Sequence, residues 1–149
     1  MAKLCVIKVR SSLKKTGPIR TILKNLRLKK LYSCVLVDNS ASNIGMLKAA
    51  ESVLTYGEIN KDTLKKLLLK RAMVSNSKKY GWDGSKLESF AEDFINGKSN
   101  LSDMKIKKVF SLHPPIKGFE RKGKKTPYTL KGVFGYRGEA INQLLDRMI

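Results

Sequence analysis

His113 is the only histidine in the sequence and is therefore the first candidate for acid–base or metal chemistry. A catalytic base needs a partner that orients its ring, and a metal site needs further ligands at motif spacing; the sequence provides neither for His113. Pro114 and Pro115, which follow it, impose an extended course on the chain. The sequence also lacks a phosphate-binding loop, a dinucleotide fingerprint and paired carboxylates at a glycine-rich turn. We therefore expect no enzymatic activity, no cofactor and no metal.

The charge of the chain is its most informative property. Its 149 residues include 31 Lys and Arg against 12 Asp and Glu, a formal net charge of +19. A surface of one sign repels itself unless a polyanion is near; nucleic acid is the commonest such partner, and an anionic membrane is the second. No run of about 18 apolar residues could span a bilayer, and neither a signal peptide nor a lipidation motif is evident. These features predict a cytoplasmic protein that binds nucleic acid.

Apolar residues make up 42% of the sequence, which is enough to form a core. Cys5 and Cys34 lie in apolar, strand-like stretches. Two such thiols form neither a disulfide framework nor a metal motif, so we interpret them as small core residues in a reducing compartment. Lysine outnumbers arginine by 24 to 7, which favours delocalised phosphate binding over a few bidentate base contacts.

The first basic stretch spans residues 10–30 and holds eight basic residues and no acidic one. Seven of the eight are candidate contacts, and they divide between a loop, a predicted helix flank and the residues after the helix: Arg10, Lys14 and Lys15; Arg20, Lys24 and Arg27; and Lys30. Such a stretch can simply be a solvated face, which is the favoured interpretation in a protein near neutrality. The large net charge and the lack of local acids reverse that preference and indicate phosphate binding.

The second basic stretch is residues 117–131, in which Glu120 is the only acid. Its cations are Lys117, Arg121, Lys122, Lys124, Lys125 and Lys131. Aromatic residues, on which exposed RNA bases stack, are interleaved with it at Phe119, Tyr128, Phe134 and Tyr136. We expect about half of these rings to fix the segment to the core instead. The surrounding residues 113–138 are rich in Gly, Pro and Lys and predict a long loop, mobile in the free protein and ordered by RNA.

Hydrophobic spacing predicts an α+β protein whose first 59 residues form a β-α-β-α-β unit. A stripe of Ile19, Ile22, Leu23 and Leu26 marks the buried face of the first helix. Residues 60–149 form the second predicted unit, with helices at about 61–72, 85–96 and 139–148, a loop at 74–84, a possible strand at 104–112 and the basic loop 113–138. A capping box, Ser85 to Glu88, opens the second of these helices.

The sequence resembles the L-thirty family of large-subunit ribosomal proteins. The resemblance over the first unit is carried by residues 6–11, by Val37-Asp38-Asn39-Ser40 and by residues 43–47. Residues 110–115, Gly118-Phe119 and residues 135–142 resemble the archaeal and eukaryotic branch, also known as L-seven in eukaryotes. Bacterial members resemble only the first 59 or so residues. The eukaryotic branch carries a long basic N-terminal extension, so this chain resembles an archaeal member.

This resemblance implies a three-stranded antiparallel sheet with two helices on one face, related to ferredoxin-like folds. It implies a structural constituent of the large ribosomal subunit that stabilises rRNA, with 5S rRNA and other ribosomal proteins as neighbours and no membrane or small-molecule substrate. A small DNA-compacting or gene-regulatory protein remains the alternative, because it would share the charge. The candidate RNA-binding residues are Arg10, Lys14, Lys15, Arg20, Lys24, Arg27, Lys30, Asn43, His113, Lys117, Arg121, Lys122, Lys124, Lys125, Tyr136 and Arg137.

Overall fold

The computed structural model of the protein describes residues 3–74 and 78–149. It is an α+β structure with one five-stranded sheet in the order β4-β2-β1-β3-β5. The strands are β1 (Lys3–Lys8), β2 (Ser33–Asp38), β3 (Leu54–Glu58), β4 (Val109–Ser111) and β5 (Gly135–Tyr136). The helices are α1 (Gly17–Asn25), α2 (Ala41–Ala49), α3 (Lys61–Arg71), α4 (Gly84–Ile95) and α5 (Ile141–Met148). Three 3₁₀ helices occupy Glu51–Val53, Tyr128–Leu130 and Gly138–Ala140.

The central strand β1 is buried along its whole length because helices cover both faces of the sheet. Its side chains alternate: Leu4 and Val6 point into one apolar cluster, and Cys5 and Ile7 into the other. The register is fixed on both sides, with Val6 opposite Val35 of β2 and Tyr56 of β3. A shift of one residue would exchange the two apolar sets, which is why two covered faces specify the register strongly.

The two faces of the sheet carry different helices. Helices α1 and α2 cover one face through Leu23 and Leu47. Helices α3, α4 and α5 cover the other face, where their apolar stripes meet around Leu67, Phe90 and Leu144. Helices α1, α4 and α5 therefore contribute the face that their 3.6-residue spacing predicts. Cys5 and Cys34 are both buried free thiols in the second cluster, and burial raises the pKa of Cys5 well above that of an ordinary thiol.

The sheet differs from the expected three-stranded antiparallel one in strand number and in type. The central strands β2, β1 and β3 do pair antiparallel, but β4 extends the sheet beside β2 and β5 extends it beside β3. The pairing of β5 with β3 is parallel, so the sheet is mixed. A two-residue strand such as β5 has no period of its own, and its position depends on contacts more than 75 residues apart in the chain.

Residues 113–138 are not the structureless loop that their composition suggests. Val133 is fully buried, and its amide donates to the carbonyl of Thr126 at 2.9 Å. The amide of Tyr128 donates to the Phe134 carbonyl at 2.7 Å, and that of Arg137 donates to the Tyr56 carbonyl in β3 at 2.8 Å. The segment thus contains a 3₁₀ helix and an edge strand and packs onto the core, although few of its residues are apolar.

Most element boundaries fall within a few residues of those expected from the sequence, and the largest differences are at helix starts and at β4. Helix α4 begins at Gly84 after Asp83, so Ser85 lies inside the helix and does not cap it as predicted. Gly97 adopts φ +77° just beyond the C-terminus of this helix, a conformation that glycine commonly supplies at helix ends. Strand β4 is three residues long, shorter than the expected 104–112. Residues 75–77 of the predicted loop 74–84 lie outside the described residues.

Candidate RNA interface

The two basic stretches, which are separated by about 90 residues in the sequence, meet at one cleft. This basic cleft has a volume of about 590 Å³ and lies beside the end of β1. Its lining residues are Val9, Arg10, Ser11, Leu13, Lys14, Lys15, Leu31, Lys124 and Lys125. Five of these nine are cations and none is an acid, so the cleft is a concentrated positive site suited to a phosphate chain.

Buried Lys8 organises the loop between β1 and α1 that supplies half of the cleft. Its Nζ donates to Ser12 Oγ at 3.2 Å and to the carbonyls of Leu28 and Lys29 at 3.1 and 2.9 Å. Burial lowers the pKa of Lys8, because the charged amine is partly removed from water. The ammonium group therefore joins the start of the basic loop to the turn that follows α1.

Two cations of the cleft are held by internal contacts. The Arg10 guanidinium donates to the Ser52 carbonyl at 3.2 Å and lies over the Phe134 ring, 5.7 Å from its centroid. Lys124 Nζ donates to the Tyr32 hydroxyl at 2.5 Å and lies 4.8 Å from the centroid of the Phe119 ring. Phe119 and Phe134 thus fix the C-terminal segment to the core. The other two interleaved aromatics also have internal contacts, Tyr128 with Arg137 and Tyr136 with Tyr56, so more than the expected half of these rings pack within the protein.

Arg20 and Lys24 lie on the exposed side of α1, opposite buried Leu23. Both line a second hollow of about 290 Å³ with Lys8 and Lys29. Arg27 does not share this flank, because α1 ends at Asn25 and Arg27 adopts φ +58° in the following turn. The predicted grouping of Arg20, Lys24 and Arg27 on one helix face is therefore wrong for Arg27, which nevertheless remains exposed.

The cations of residues 10–30 have no acidic partner in the described parts of the chain, 3–74 and 78–149. Lys30 is exposed as well. In the C-terminal segment His113, Lys117, Arg121, Lys122 and Lys125 are exposed. Ion pairs at these side chains would compete with an anionic ligand, so their lack of carboxylate neighbours keeps them available for phosphates.

Arg137 is the clearest exception among the predicted RNA-binding residues, since its side chain is only 2% exposed. It donates to both oxygens of Glu120 at 2.5 and 2.8 Å, to Thr55 Oγ1 at 2.8 Å and to the Val133 carbonyl at 2.9 Å. Its guanidinium also lies 4.4 Å from the centroid of the Tyr128 ring. With these contacts Arg137 is a structural cation of the core, and we exclude it from the candidate interface.

Glu120 is the acidic partner in this buried pair. Burial by itself raises the pKa of its carboxyl, but the hydrogen bonds and positive charge of Arg137, with the charge of Arg147 behind them, outweigh burial and lower it overall. Glu120, the one acid in the second basic stretch, therefore forms its main ion pair with buried Arg137 and does not neutralise the exposed cations of that stretch.

Tyr136 is 49% exposed but does not line the basic cleft. Its hydroxyl donates to Glu58 Oε1 at 2.7 Å, and this hydrogen bond raises the pKa of Tyr136. Gly57 in β3 and Gly138 lie close together, since a Cβ at Gly57 would meet the Gly138 carbonyl oxygen at 2.1 Å. The absence of a side chain at Gly57 therefore lets two segments of the protein pack against each other.

Asn43 has a local role at the start of α2. Its side-chain amide donates to the Asp38 carbonyl at 2.9 Å, and its backbone amide donates to the capping Ser40 Oγ at 3.2 Å. These bonds connect the end of β2 to the helix. Asn43 thus has a structural partner, and nothing in this geometry brings it to the basic cleft.

Comparison with known proteins identifies the family. The model of the family described as ribosomal protein L30p/L7e matches residues 4–53. The large ribosomal subunit protein uL30 of Methanococcus maripaludis is 39% identical over 97% of this chain and 97% of its own length. The uL30 protein of Methanopyrus kandleri is 40% identical over 89% of this chain and 99% of its own length. The uL30 protein of Archaeoglobus fulgidus is 38% identical over 96% of this chain and 97% of its own length. The chain belongs to the L30p/L7e family.

Membership of the L30p/L7e family confirms the resemblance found in the sequence. The family model ends in the 3₁₀ helix Glu51–Val53, whereas the archaeal relatives align along almost the whole chain. The segment that carries Lys124 and Lys125 therefore lies in a region that these relatives also possess. Within the described residues no helix could cross a membrane, and no cluster of three or more His, Cys, Asp or Glu could hold a metal.

The candidate residues chosen from the sequence did not include Lys8, Lys29, Leu13 or Leu31, which line these two hollows. Lys29 lies inside the first basic stretch and could have been included on charge alone. Leu13 and Leu31 are exposed apolar side chains in the basic cleft. The position of Leu13 in the middle of a polar, basic loop was the available signal, since an apolar residue there has no place in a predicted helix or strand.

Proposed function

We infer that this protein is a structural constituent of the large ribosomal subunit, located in the cytoplasmic ribosome, and that it acts by binding rRNA and not by catalysis. Its family and its archaeal relatives, which are named as large ribosomal subunit proteins, support this role. Such a protein stabilises folded RNA by neutralising phosphates and releasing condensed counterions, while its folded core sets the spacing of the cations.

The observation that carries the proposal is the convergence of two distant basic stretches on one cleft whose lining contains no acid. Folding brings like charges together only at an electrostatic cost, and a polyanionic partner offsets that cost. We propose that RNA phosphates lie at the basic cleft and along the adjacent exposed cations. The proposed contacts are Arg10, Lys14, Lys15, Arg20, Lys24, Arg27, Lys30, His113, Lys117, Arg121, Lys122, Lys124 and Lys125.

The family resemblance also bears on the RNA that lies near the protein and on how the chain is divided. We propose that 5S rRNA lies near the protein in the subunit, which is what the family resemblance implies. We also propose that residues 60–149 act as an extension of a core formed by residues 1–59. The contribution of Lys124 and Lys125 to the cleft and of β4 and β5 to the sheet edges supports an extension that completes the core.

The mobility of residues 113–138 in the free protein stays a prediction. The buried Val133 and the backbone hydrogen bonds of Tyr128 and Arg137 favour protection of these amides before any RNA is bound. Amide hydrogen exchange on the free protein tests the predicted mobility. Exchange at the rate of an unstructured peptide would support a loop that becomes ordered only when RNA binds.

The ribosomal role is tested by sucrose-gradient sedimentation of a native cell lysate. We expect the protein in the large-subunit peak at moderate salt and its release as salt rises, because many phosphate contacts are lost together. Co-sedimentation with DNA would support the regulatory or architectural alternative. Recovery only at the top of the gradient at every salt concentration would contradict the ribosomal role.

A further inference from the structure

The basic cleft contains apolar side chains that phosphate binding does not explain. Leu13 is 82% exposed and Leu31 is 43% exposed, and both line the cleft together with buried Val9. Single exposed apolar side chains are common on protein surfaces, but these two share one cleft with five cations, and an anion alone would leave them in water. This combination matches a ligand that has an apolar face as well as negative charge.

The exposure of Leu13 is a feature of the folded loop. Its backbone amide donates to Ser11 Oγ at 3.4 Å, and its carbonyl accepts a hydrogen bond from the Arg20 guanidinium. The Lys15 amide donates to the Ser12 carbonyl at 3.1 Å and closes a turn around Leu13. These bonds hold the leucine at the surface, beside the cations of the cleft.

The cations that line the cleft come from two separate parts of the chain. Lys14 and Lys15 approach from the loop after β1, and Lys124 and Lys125 from the C-terminal segment. Lys124 is held by Tyr32 and Phe119, so its side of the cleft has a fixed position, whereas Lys125 is exposed. Apolar side chains and cations in one cleft match the chemistry of a nucleotide, whose base is flat and weakly hydrated on its faces and whose phosphates are charged.

We propose that the cleft binds one unstacked nucleotide of single-stranded or bulged RNA, with its base on Leu13 and Leu31 and its flanking phosphates at Lys14, Lys15 and Lys125. This inference rests on the proposed RNA-binding function and specifies which part of the RNA occupies the cleft. In a duplex the faces of each base are covered by its neighbours, so only an unstacked base offers an apolar surface. The volume of about 590 Å³ is within the range of roughly 300–1,000 Å³ of small-molecule sites.

The test compares two RNAs by fluorescence anisotropy with the full-length protein at one salt concentration. One is a labelled oligouridylate strand of about 20 nucleotides, and the other is an RNA duplex of the same length. Leu13→Ser should weaken binding of the single strand about fivefold, because apolar contact to the base is lost, and should leave duplex binding unchanged. Leu13→Phe should strengthen single-strand binding, since a ring stacks on a base.

Leu69→Ser is the matched control, because Leu69 is an exposed leucine (57%) on α3, away from the cleft, and its replacement should change neither affinity. Equal thermal midpoints of the variants and the original protein show that folding is intact. If Leu13→Ser leaves the preference for the single strand unchanged, the nucleotide site is overturned while RNA binding stands. If neither RNA binds in a salt-dependent manner, the proposed function itself fails.

Discussion

Residues 10–30 and residues 60–100 are both rich in lysine, but they use the charge differently. The first region has eight basic residues without an acidic neighbour, and the second has nine basic and five acidic residues. On α3, Lys61 and Lys65 pair with Glu92 and Glu88 of α4, and Lys66 pairs with Asp146. In the second region these lysines are thus paired with carboxylates, although more basic than acidic residues remain there. A large positive net charge thus indicates that a protein binds RNA. The partners of each cation determine which surface remains available for RNA phosphates.

The largest effect on stability is expected at Arg137, because its positively charged side chain is buried. Arg137→Met should reduce the free energy of unfolding by about 3–5 kcal/mol, because it removes the bidentate partner of the partly buried Glu120 carboxylate and leaves only the 3.5 Å contact with Arg147. Urea denaturation measures this loss. Arg121→Met, at an exposed position, should keep full stability and weaken RNA binding instead. Normal stability of Arg137→Met together with lost RNA affinity would return Arg137 to the interface.

Two charge-matched triple variants test whether lysines without carboxylate partners contribute more to RNA affinity than paired lysines do. Lys14→Gln/Lys15→Gln/Lys125→Gln should weaken binding to an rRNA fragment about 100-fold at low salt and flatten the dependence of log K on log salt. Lys61→Gln/Lys65→Gln/Lys66→Gln removes the same charge from α3 and should change affinity far less, because these lysines already have carboxylate partners. Equal losses in the two variants would mean that total charge, and not the cleft, determines affinity.

A smaller effect is expected on the flank of α1. Arg20→Gln/Lys24→Gln should lower RNA affinity about tenfold and leave the thermal midpoint nearly unchanged, because both side chains are exposed. The contrasting change is Leu23→Ala on the buried side of the same helix, which should cost about 2–5 kcal/mol of stability without a direct effect on RNA contacts. Unfolding of the double variant would show that the two faces of α1 are assigned the wrong way round.

The smallest effect is a pH dependence of stability that arises from Glu120. The pKa of its carboxyl is lowered in the folded protein, so its stabilising contribution is complete above the pKa of an unfolded glutamate, about 4.3, and is lost as pH falls through the lower folded value. Thermal midpoints between about pH 6 and pH 3 measure this loss. Glu120→Gln should flatten the acid dependence in that window, whereas Glu88→Gln, in an exposed pair, should alter it less. An unchanged slope in Glu120→Gln would contradict the assignment.

Local features of the protein could be predicted from its residues alone. Apolar spacing predicted helices near α1, α3, α4 and α5 and the three central strands, because a helix or strand with one buried face repeats its apolar residues at a fixed spacing. The excess of basic residues indicated nucleic acid, and the motifs around residues 37–47 and 110–142 indicated the family. These properties depend on residues close together in the chain.

Which atoms each side chain contacts depends on the three-dimensional fold. Nothing local distinguishes Arg137, which is buried against Glu120, from Arg121, which is exposed. Nothing local predicts that Lys124 and Lys125 complete a cleft begun by Lys14, or that residues 135–136 pair with β3 in parallel. The sign of a charge is a property of one side chain, but its availability depends on neighbours brought together by contacts across the whole chain.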